Sequence, residues 1–187
     1  MKNKLFVISG SSGVGKGTVL KQFLDRNHDF ILSVSCTTRK PRPGEIDGVN
    51  YFYISKDDFL KSIDNNEFLE WAEFAQNMYG TKKSFVKDCF DNGKNVILEI
   101  ETTGALNIKK QIPESVLIFI VPPSLEELEQ RLRGRHTEDE NAIQKRLSEV
   151  KIEIERAKLY DYTIVNDSVE NAVTELENIV KREVKNG

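Results

Sequence analysis

Residues 10–18 read Gly-Ser-Ser-Gly-Val-Gly-Lys-Gly-Thr, and their setting leaves few folds open. An apolar run, Leu5-Phe6-Val7-Ile8, precedes them, and a helical pattern with Val19, Leu20, Phe23 and Leu24 on one side follows. Strand, glycine-rich turn and helix start, in that order, make a phosphate-binding loop. Glycines let the backbone curl until successive N–H groups face an anion. The helix N-terminus adds unsatisfied donors and a partial positive charge. Lys16 supplies a mobile full charge for the outer phosphates. Gly10, Gly15 and Lys16 match G-x-x-x-x-G-K-[ST]. Gly17 stands where the hydroxyl residue belongs, and Thr18 comes one position later. Gly10, Ser11, Ser12, Gly13, Val14, Gly15, Lys16, Gly17 and Thr18 are therefore the expected nucleotide-phosphate site. The plain alternative, a glycine-rich hairpin with a surface lysine, is disfavoured by the flanking strand and helix.

The remaining pattern alternates strands with helices. Leu5–Ser9 reads as a strand covered on both faces, and the helix after the loop runs to Arg26. Ile31–Ser35 reads as a second strand. Cys36–Asn50 reads as a polar connection, because Pro41, Pro43, Gly44 and Gly48 exclude a regular helix. Tyr51–Ile54 is a short strand, and Ser55 with Asp58 caps a helix to about Asn65. Phe68–Phe74 reads as a strand with Trp71 in the core. Tyr79-Gly80-Thr81 reads as a turn. Lys82–Asp91 is a helix ended by Gly93. Asn95–Glu101 and Val116–Val121 are further core strands, with a helix to about Gln111 between them.

Ser124 with Glu127 caps the next helix, and Leu125, Leu128 and Leu132 share its face. Gly134–Asn141 lacks apolar residues and reads as a flexible segment. Ile143, Leu147, Val150, Ile154 and Ala157 mark one face of a long helix. Tyr162–Asn166 is the last strand, and Ser168 caps a terminal helix. The expectation is an α/β fold with a parallel sheet and helices on both faces. Phosphate loops in such folds lie at the carboxyl ends of strands.

The 187 residues suffice for one domain with small inserted lobes. A net charge of -3 implies no general affinity for nucleic acid or anionic membrane. Cys36 and Cys89 give neither a disulfide framework nor metal-ligand spacing, and read as small buried thiols. Two isolated histidines, His28 and His136, do not suggest zinc. Four apolar residues after Met-Lys-Asn-Lys are too few for a signal-peptide core, and no stretch is long enough to span a bilayer, so a cytoplasmic protein is expected. Nothing points to an obligate protein partner.

The arginines are uneven. Arg39 and Arg42 form one group, and Arg131, Arg133, Arg135 and Arg146 another. Arginine forks suit phosphate oxygens. Phosphoryl transfer needs charge compensation and positioning more than covalent help. Lys16 and the loop can hold a donor nucleotide while the second cluster brings charge to the phosphoryl group in flight. Solvated arginines at a helix end are the alternative, which describes Arg156 or Arg182 better.

Nine blocks then fall in one family's order and spacing: the loop itself, Ser35-Cys-Thr-Thr-Arg-Lys-Pro-Arg42, Gly48-Val-Asn-Tyr51, Phe68-Leu-Glu-Trp71, Tyr79-Gly-Thr81, Leu98-Glu-Ile100, Arg131-Leu-Arg-Gly-Arg135, Lys145-Arg-Leu147 and Ile164-Val-Asn-Asp167. Together they resemble guanylate kinases over nearly the whole chain. The resemblance implies a P-loop nucleoside monophosphate kinase fold catalysing ATP + GMP ⇌ ADP + GDP with Mg²⁺. It implies a core of residues 1–35, 92–130 and 147–187, a GMP-binding lobe of 36–91 and a lid of 131–146.

By position, Ser35, Arg39, Arg42, Tyr51 and Tyr79 would hold the GMP phosphate, with Glu70 and Thr81 on guanine and Glu101 beside them. ATP would meet the loop, Arg131, Arg135 and Asn166. Lys16, Arg39, Arg135 and Arg146 would be catalytic, with Mg²⁺ held through phosphates and water near Thr18 and Glu99. Three departures stand out. Gly17 replaces a hydroxyl. Ile100-Glu101-Thr102-Thr103-Gly104 replaces Ile-Asp-x-Gln-Gly. His136 replaces a glycine. Peptide-binding scaffold domains share the fold but tend to lose the loop, which is intact here. A ribose bisphosphate kinase would share the shape but would have no guanine for Glu70 and Thr81 to read.

Overall fold

Five apolar segments pair side by side, all parallel. They are β1 (Leu5–Gly10), β2 (Phe30–Leu32), β7 (Asn95–Glu99), β8 (Val116–Val121) and β9 (Tyr162–Val165). Their order is β2-β7-β1-β8-β9. The computed structural model describes residues 3–11, 13–133, 140, 148, 152 and 155–185; the side chains of 74, 125, 128, 131 and 132 are outside the description. Gly134–Asn141 (apart from residue 140), His136 and most of the expected helix through Ile143, Leu147, Val150 and Ile154 lie outside the described residues.

The runs in β1 and β8 are continuous rather than alternating because both faces of this sheet are covered. On one face Phe6, Ile8, Ile118 and Ile120 pack against Val19, Leu20 and Phe23 of α1 (Lys16–Arg26) and Val173, Leu176 and Val180 of the terminal helix α6 (Val169–Lys185). On the other, Val7, Leu98 and Phe119 pack against Val86 and Cys89 of α3 (Lys83–Asp91) and Ala105 and Ile108 of α4 (Thr102–Gln111). Helices on both faces are thus as expected. α5 (Leu125–Arg133) follows β8, with Ser124 Oγ accepting from Glu127 N at 3.1 Å.

A second, four-stranded sheet is built from residues between β2 and α3. It runs β4-β3-β6-β5, with β3 Cys36–Thr37, β4 Phe52–Tyr53, β5 Phe68–Phe74 and β6 Asn77–Lys82. α2 (Lys56–Asp64) closes it through Phe59, and the Ser55 hydroxyl accepts from Asp58 N at 3.1 Å as the cap predicts.

Four expectations are corrected here. The run Ile31–Ser35 is not one strand: pairing with β7 stops at Leu32, and the chain crosses to the second sheet. Cys36–Asn50 is not all connection, because Cys36 and Thr37 pair with β4 and β6. Tyr79-Gly80-Thr81 is not a turn but the middle of β6. The reversal lies at Ala75 and Gln76, with φ of 48° and 65°. A two-residue hairpin loop needs such positive φ, and without Asn-Gly the sequence carries no signal for it.

Trp71 is 44% exposed rather than core. A register shift between Phe68 and Glu70 breaks the alternation of β5, so Leu69 and Glu70 are both buried and Trp71 emerges on the open face of an edge strand.

Candidate active site

The glycine-rich loop sits between the end of β1 and the start of α1, at the carboxyl edge of the parallel sheet. Gly13 and Gly15 take φ of 85° and 90°, and Gly15 is the N-cap of α1. The turn closes through Val14 N to Ser11 O at 3.1 Å. Gly10 has a different reason to be glycine: a Cβ there would lie 2.6 Å from the Ile120 carbonyl oxygen of the neighbouring strand. Ser9 Oγ donates to Ile100 O at 2.7 Å, tying the loop's base to the end of β7. The buried Ser11 hydroxyl has no hydrogen-bond partner among the described residues. Ser12 lies outside the described residues.

Lys16 Nζ stands 3.4 Å from Gly10 O and 3.7 Å from Glu99 Oε1. Lys16, Gly17, exposed Thr18 and Glu99 line an open cleft of about 500 Å³ with the loop. A Cβ on Gly17 would meet nothing within 4 Å, so packing does not demand the missing hydroxyl's absence. A second cleft, of about 390 Å³, lies on the other side of the loop, along Asn166–Val169. Asn166 is 3% exposed, and its Nδ2 donates to Val14 O at 2.6 Å. It braces the loop directly.

The second sheet carries Glu70, Tyr79 and Thr81. Glu70 on β5 lies opposite Thr81 on β6, and the Thr81 hydroxyl donates to Glu70 Oε1 at 2.9 Å. Burial pushes the Glu70 carboxyl up to about 7; the Thr81 bond opposes the rise, and the Glu101 charge adds to it. Glu101 caps α4, accepting from Thr103 N at 2.8 Å and Gly104 N at 2.6 Å. Gly104 lets Glu70 approach: a Cβ there would sit 2.9 Å from Glu70 Oε2.

Tyr51 and Tyr79 meet edge to face, with ring centroids 5.9 Å apart. The Arg39 guanidinium lies 5.4 Å from the Tyr51 centroid. Tyr51 is raised by burial first, then by Tyr79 and Glu99. Ser35 is half-buried beside this group, its carbonyl accepting from Phe52 N at 2.9 Å, while the Arg42 side chain is exposed.

The turn Glu99–Glu101 joins the two halves. Glu99 faces Lys16, and two residues on Glu101 sits by Glu70. The glycine loop with its lysine and the buried Glu70 carboxylate thus flank one short turn. Arg135 and Arg146 lie outside the described residues, as does the Arg131 side chain. Arg133 is engaged by Glu129 and Glu140 and held above its ordinary range by them. Sequence reasoning missed Glu45, which holds Arg39. The available signal was an acid soon after Arg39, Lys40 and Arg42, in a stretch bracketed by Gly44 and Gly48.

The family profile described as guanylate kinase matches residues 2–183. The chain belongs to the guanylate kinase family. It is 51% identical to a guanylate kinase of Clostridioides difficile over 182 residues, 97% of this chain and 89% of the relative. It is 51% identical to one of Prochlorococcus marinus over 183 residues, 97% of this chain and 100% of the relative. The crystal structure of guanylate kinase from Anaplasma phagocytophilum superposes with a TM-score of 0.78 at 33% identity, covering 97% of this chain and 86% of that one. A shikimate kinase from Bacteroides thetaiotaomicron, at TM-score 0.52 and 12% identity, shares the fold alone.

Proposed function

We propose that this chain transfers the terminal phosphoryl group of ATP to GMP, giving ADP and GDP. Family membership supports the reaction, and the buried Glu70–Thr81 pair is the observation that carries the choice of acceptor. An ionised carboxylate accepts only, and guanine offers two adjacent donors, the ring N1–H and the exocyclic amine. A substrate made only of sugar and phosphate would have no use for such a group.

The geometry is compatible with the following division of labour. The loop N–H groups and Lys16 hold the donor phosphates. Arg39 and Arg42, with Ser35, Tyr51 and Tyr79, hold the acceptor phosphate, because a forked cation and neutral hydroxyls suit its oxygens. Glu70, Thr81 and Glu101 face guanine. Asn166 keeps the loop in shape at the ATP side. Arg131, Arg135 and Arg146 are assigned to ATP and the transferring phosphoryl group on the sequence alone, as are the acceptor lobe of 36–91, the lid of 131–146 and the core that remains.

Mg²⁺ fits the donor set. Among the described residues no three His, Cys, Asp or Glu side chains group as a cage. This ion keeps its waters and is held through one or two carboxylates plus substrate phosphates. Glu99 and Thr18 line the cleft where those phosphates would lie. Bound there, it would offset phosphate charge. The partners are therefore ATP and GMP or dGMP, and the place of action is the cytoplasm. Among the described residues no helix is long and apolar enough to cross a membrane.

The deciding experiment is ADP release across GMP, AMP, CMP, UMP and ribose bisphosphate. GMP should be preferred by orders of magnitude; equal rates with ribose bisphosphate would end this reading. Lys16→Met is the matching control. It should fold normally and lose roughly 10²-fold or more in turnover, since the loop's one full charge is gone.

A further inference from the structure

Glu45 contacts two residues of the proposed acceptor-phosphate group, Arg39 and Arg42, and the neighbouring Tyr53. Its Oε1 accepts from Arg39 Nη2 at 2.8 Å. Its Oε2 accepts from the Arg42 backbone N at 2.7 Å and from the Tyr53 hydroxyl at 2.8 Å. Both members of the Arg39–Glu45 pair are largely shielded, with side chains 14% and 18% exposed. Arg39 is further fixed by Nη1 donating to Lys40 O at 3.0 Å and by the faces of Tyr51 and Tyr53, 5.4 and 5.9 Å away. This is an unusual place for an acid. A carboxylate beside a phosphate site repels the ligand, so its presence needs a compensating gain.

We propose that Glu45 is a positioning residue that fixes Arg39, and the backbone at Arg42, in the conformation that receives the acceptor phosphate. The proposal rests on the reading that Arg39 binds that phosphate. A guanidinium has five donors in a rigid fork. Glu45 takes one from Nη2 and the Lys40 carbonyl one from Nη1, so the fork is oriented and still has donors to offer. An arginine so held loses little freedom when it binds an anion, whereas a free one must be ordered at that moment. Glu45 also joins three points that are distant in the turn, Arg39, Arg42 and Tyr53, with one carboxylate. That accounts for a fixed shape in a segment with no regular secondary structure between Thr38 and Tyr51. The hydrogen bonds from Arg39 and from Arg42 N hold the Glu45 carboxyl down at about 2, so it stays an acceptor at any working pH.

The opposite role is a latch: Glu45 would occupy Arg39 and give it up to the phosphate. The two roles predict opposite signs. As a positioning residue, Glu45→Ala raises KM for GMP roughly 10- to 100-fold, the scale of a misplaced binding group. KM for ATP should not move, and affinity for guanosine, which lacks the phosphate, should stay level. Glu45→Gln keeps one acceptor oxygen and should fall between wild type and alanine. Tyr53→Phe removes one anchor, leaves the Arg39 contact and should cost least.

Steady-state kinetics on the full chain, with calorimetric binding of GMP and guanosine, make the test. Melting curves confirm that each variant is folded. The Arg39→Ala, Glu45→Ala and double variants form a cycle, and the Glu45 effect should shrink once Arg39 is gone, leaving only the part exerted through the Arg42 backbone. A lower KM for GMP in Glu45→Ala would establish the latch and overturn the proposal. So would additive effects in the cycle, or an equal loss of guanosine affinity. If Arg39→Ala leaves KM for GMP unchanged, the phosphate-site reading itself fails, and the role of Glu45 fails with it.

Discussion

The Thr81 hydroxyl donates to Glu70 Oε1 at 2.9 Å across two adjacent antiparallel strands, and Gly104 leaves the space into which Glu70 Oε2 projects. The carboxyl titrates at about 7 against an ordinary 4.5, because burial disfavours its charge. On the proposed reading of the site, guanine needs the ionised form. Below pH 7 the ligand-free site is mostly protonated, so GMP binding must expel a proton. Affinity should then fall by up to about tenfold per pH unit as pH drops from 7 towards 5. Calorimetry with guanosine, which has no phosphate to titrate, in two buffers of different ionisation heat should find close to one proton released at pH 6 and none at pH 8.5. Absence of release at pH 6 would mean that guanine does not meet an ionised Glu70.

Glu70→Gln should separate stability from activity. A carboxyl whose folded-state pKa is raised favours the folded state below its unfolded value, and that contribution is lost as pH rises from about 4.5 through about 7. At pH 8 the ionised, buried Glu70 costs the ligand-free protein on the order of 3 kcal/mol, the linkage equivalent of that shift. A glutamine is the same shape, keeps the oxygen that Thr81 uses and carries no charge. The variant should therefore melt higher than wild type at pH 8 without GMP, with the gap closing near pH 4.5. Its GMP activity should drop severely, and its preference for GMP over AMP, as kcat/KM, should narrow. A site that reads a base by hydrogen bonds rejects a poor match by up to about 10⁴–10⁵, and the amide forfeits part of that.

The parallel sheet was legible in the sequence because each strand buried on both faces is an unbroken apolar run, as in Leu5–Ile8 and Val116–Val121. The phosphate loop was legible because its chemistry is local. The second sheet was harder. Its strands are two to seven residues long, and the signals that define them are not local. Cys36 and Thr37 form a strand only because β4 and β6 flank them. The break in alternation that buries Glu70 and exposes Trp71 is a property of pairing with β6, which no window of β5 contains. Glu45 was missed for a related reason. Its partners Arg39, Arg42 and Tyr53 come together through a turn whose shape the carboxylate itself helps to set.

Gly17→Ser tests the departure in the loop. No atom lies within 4 Å of the added Cβ, and Gly17 has an ordinary helical φ. Serine is a better helix residue than glycine by about 0.5 kcal/mol, so the variant should melt slightly higher. The new hydroxyl would stand where phosphate loops of this pattern place a Mg²⁺ ligand. The Mg²⁺ concentration needed for half-maximal rate should fall, with KM for GMP unchanged. An unaltered Mg²⁺ dependence in a well-folded variant would show that water serves as well as the hydroxyl at this position.

Gly104→Ala tests whether the Glu70 carboxylate must sit where it does. The added methyl would lie 2.9 Å from Glu70 Oε2, 3.3 Å from Ile100 Cδ1 and 3.5 Å from Glu101 Oε1. The first approach is too close to keep, and the atom that gives way is the end of a side chain rather than backbone. Alanine is also worth about 1 kcal/mol over glycine within a helix, and Gly104 lies in the first turn of α4. Stability should therefore change little. Function should not be spared, because the displaced oxygen is the one that Thr81 does not hold. KM for GMP should rise about tenfold or more, as expected for a misplaced binding group, while KM for ATP stays put. The equivalent change at Gly10 is the contrast. There the obstacle is the Ile120 carbonyl oxygen at 2.6 Å, part of a core strand that cannot swing aside, so Gly10→Ala should lower the melting temperature as well as activity. Parallel melting curves and kinetics on the two variants decide the matter. If Gly104→Ala bound GMP normally, guanine would not depend on the position of Glu70 Oε2.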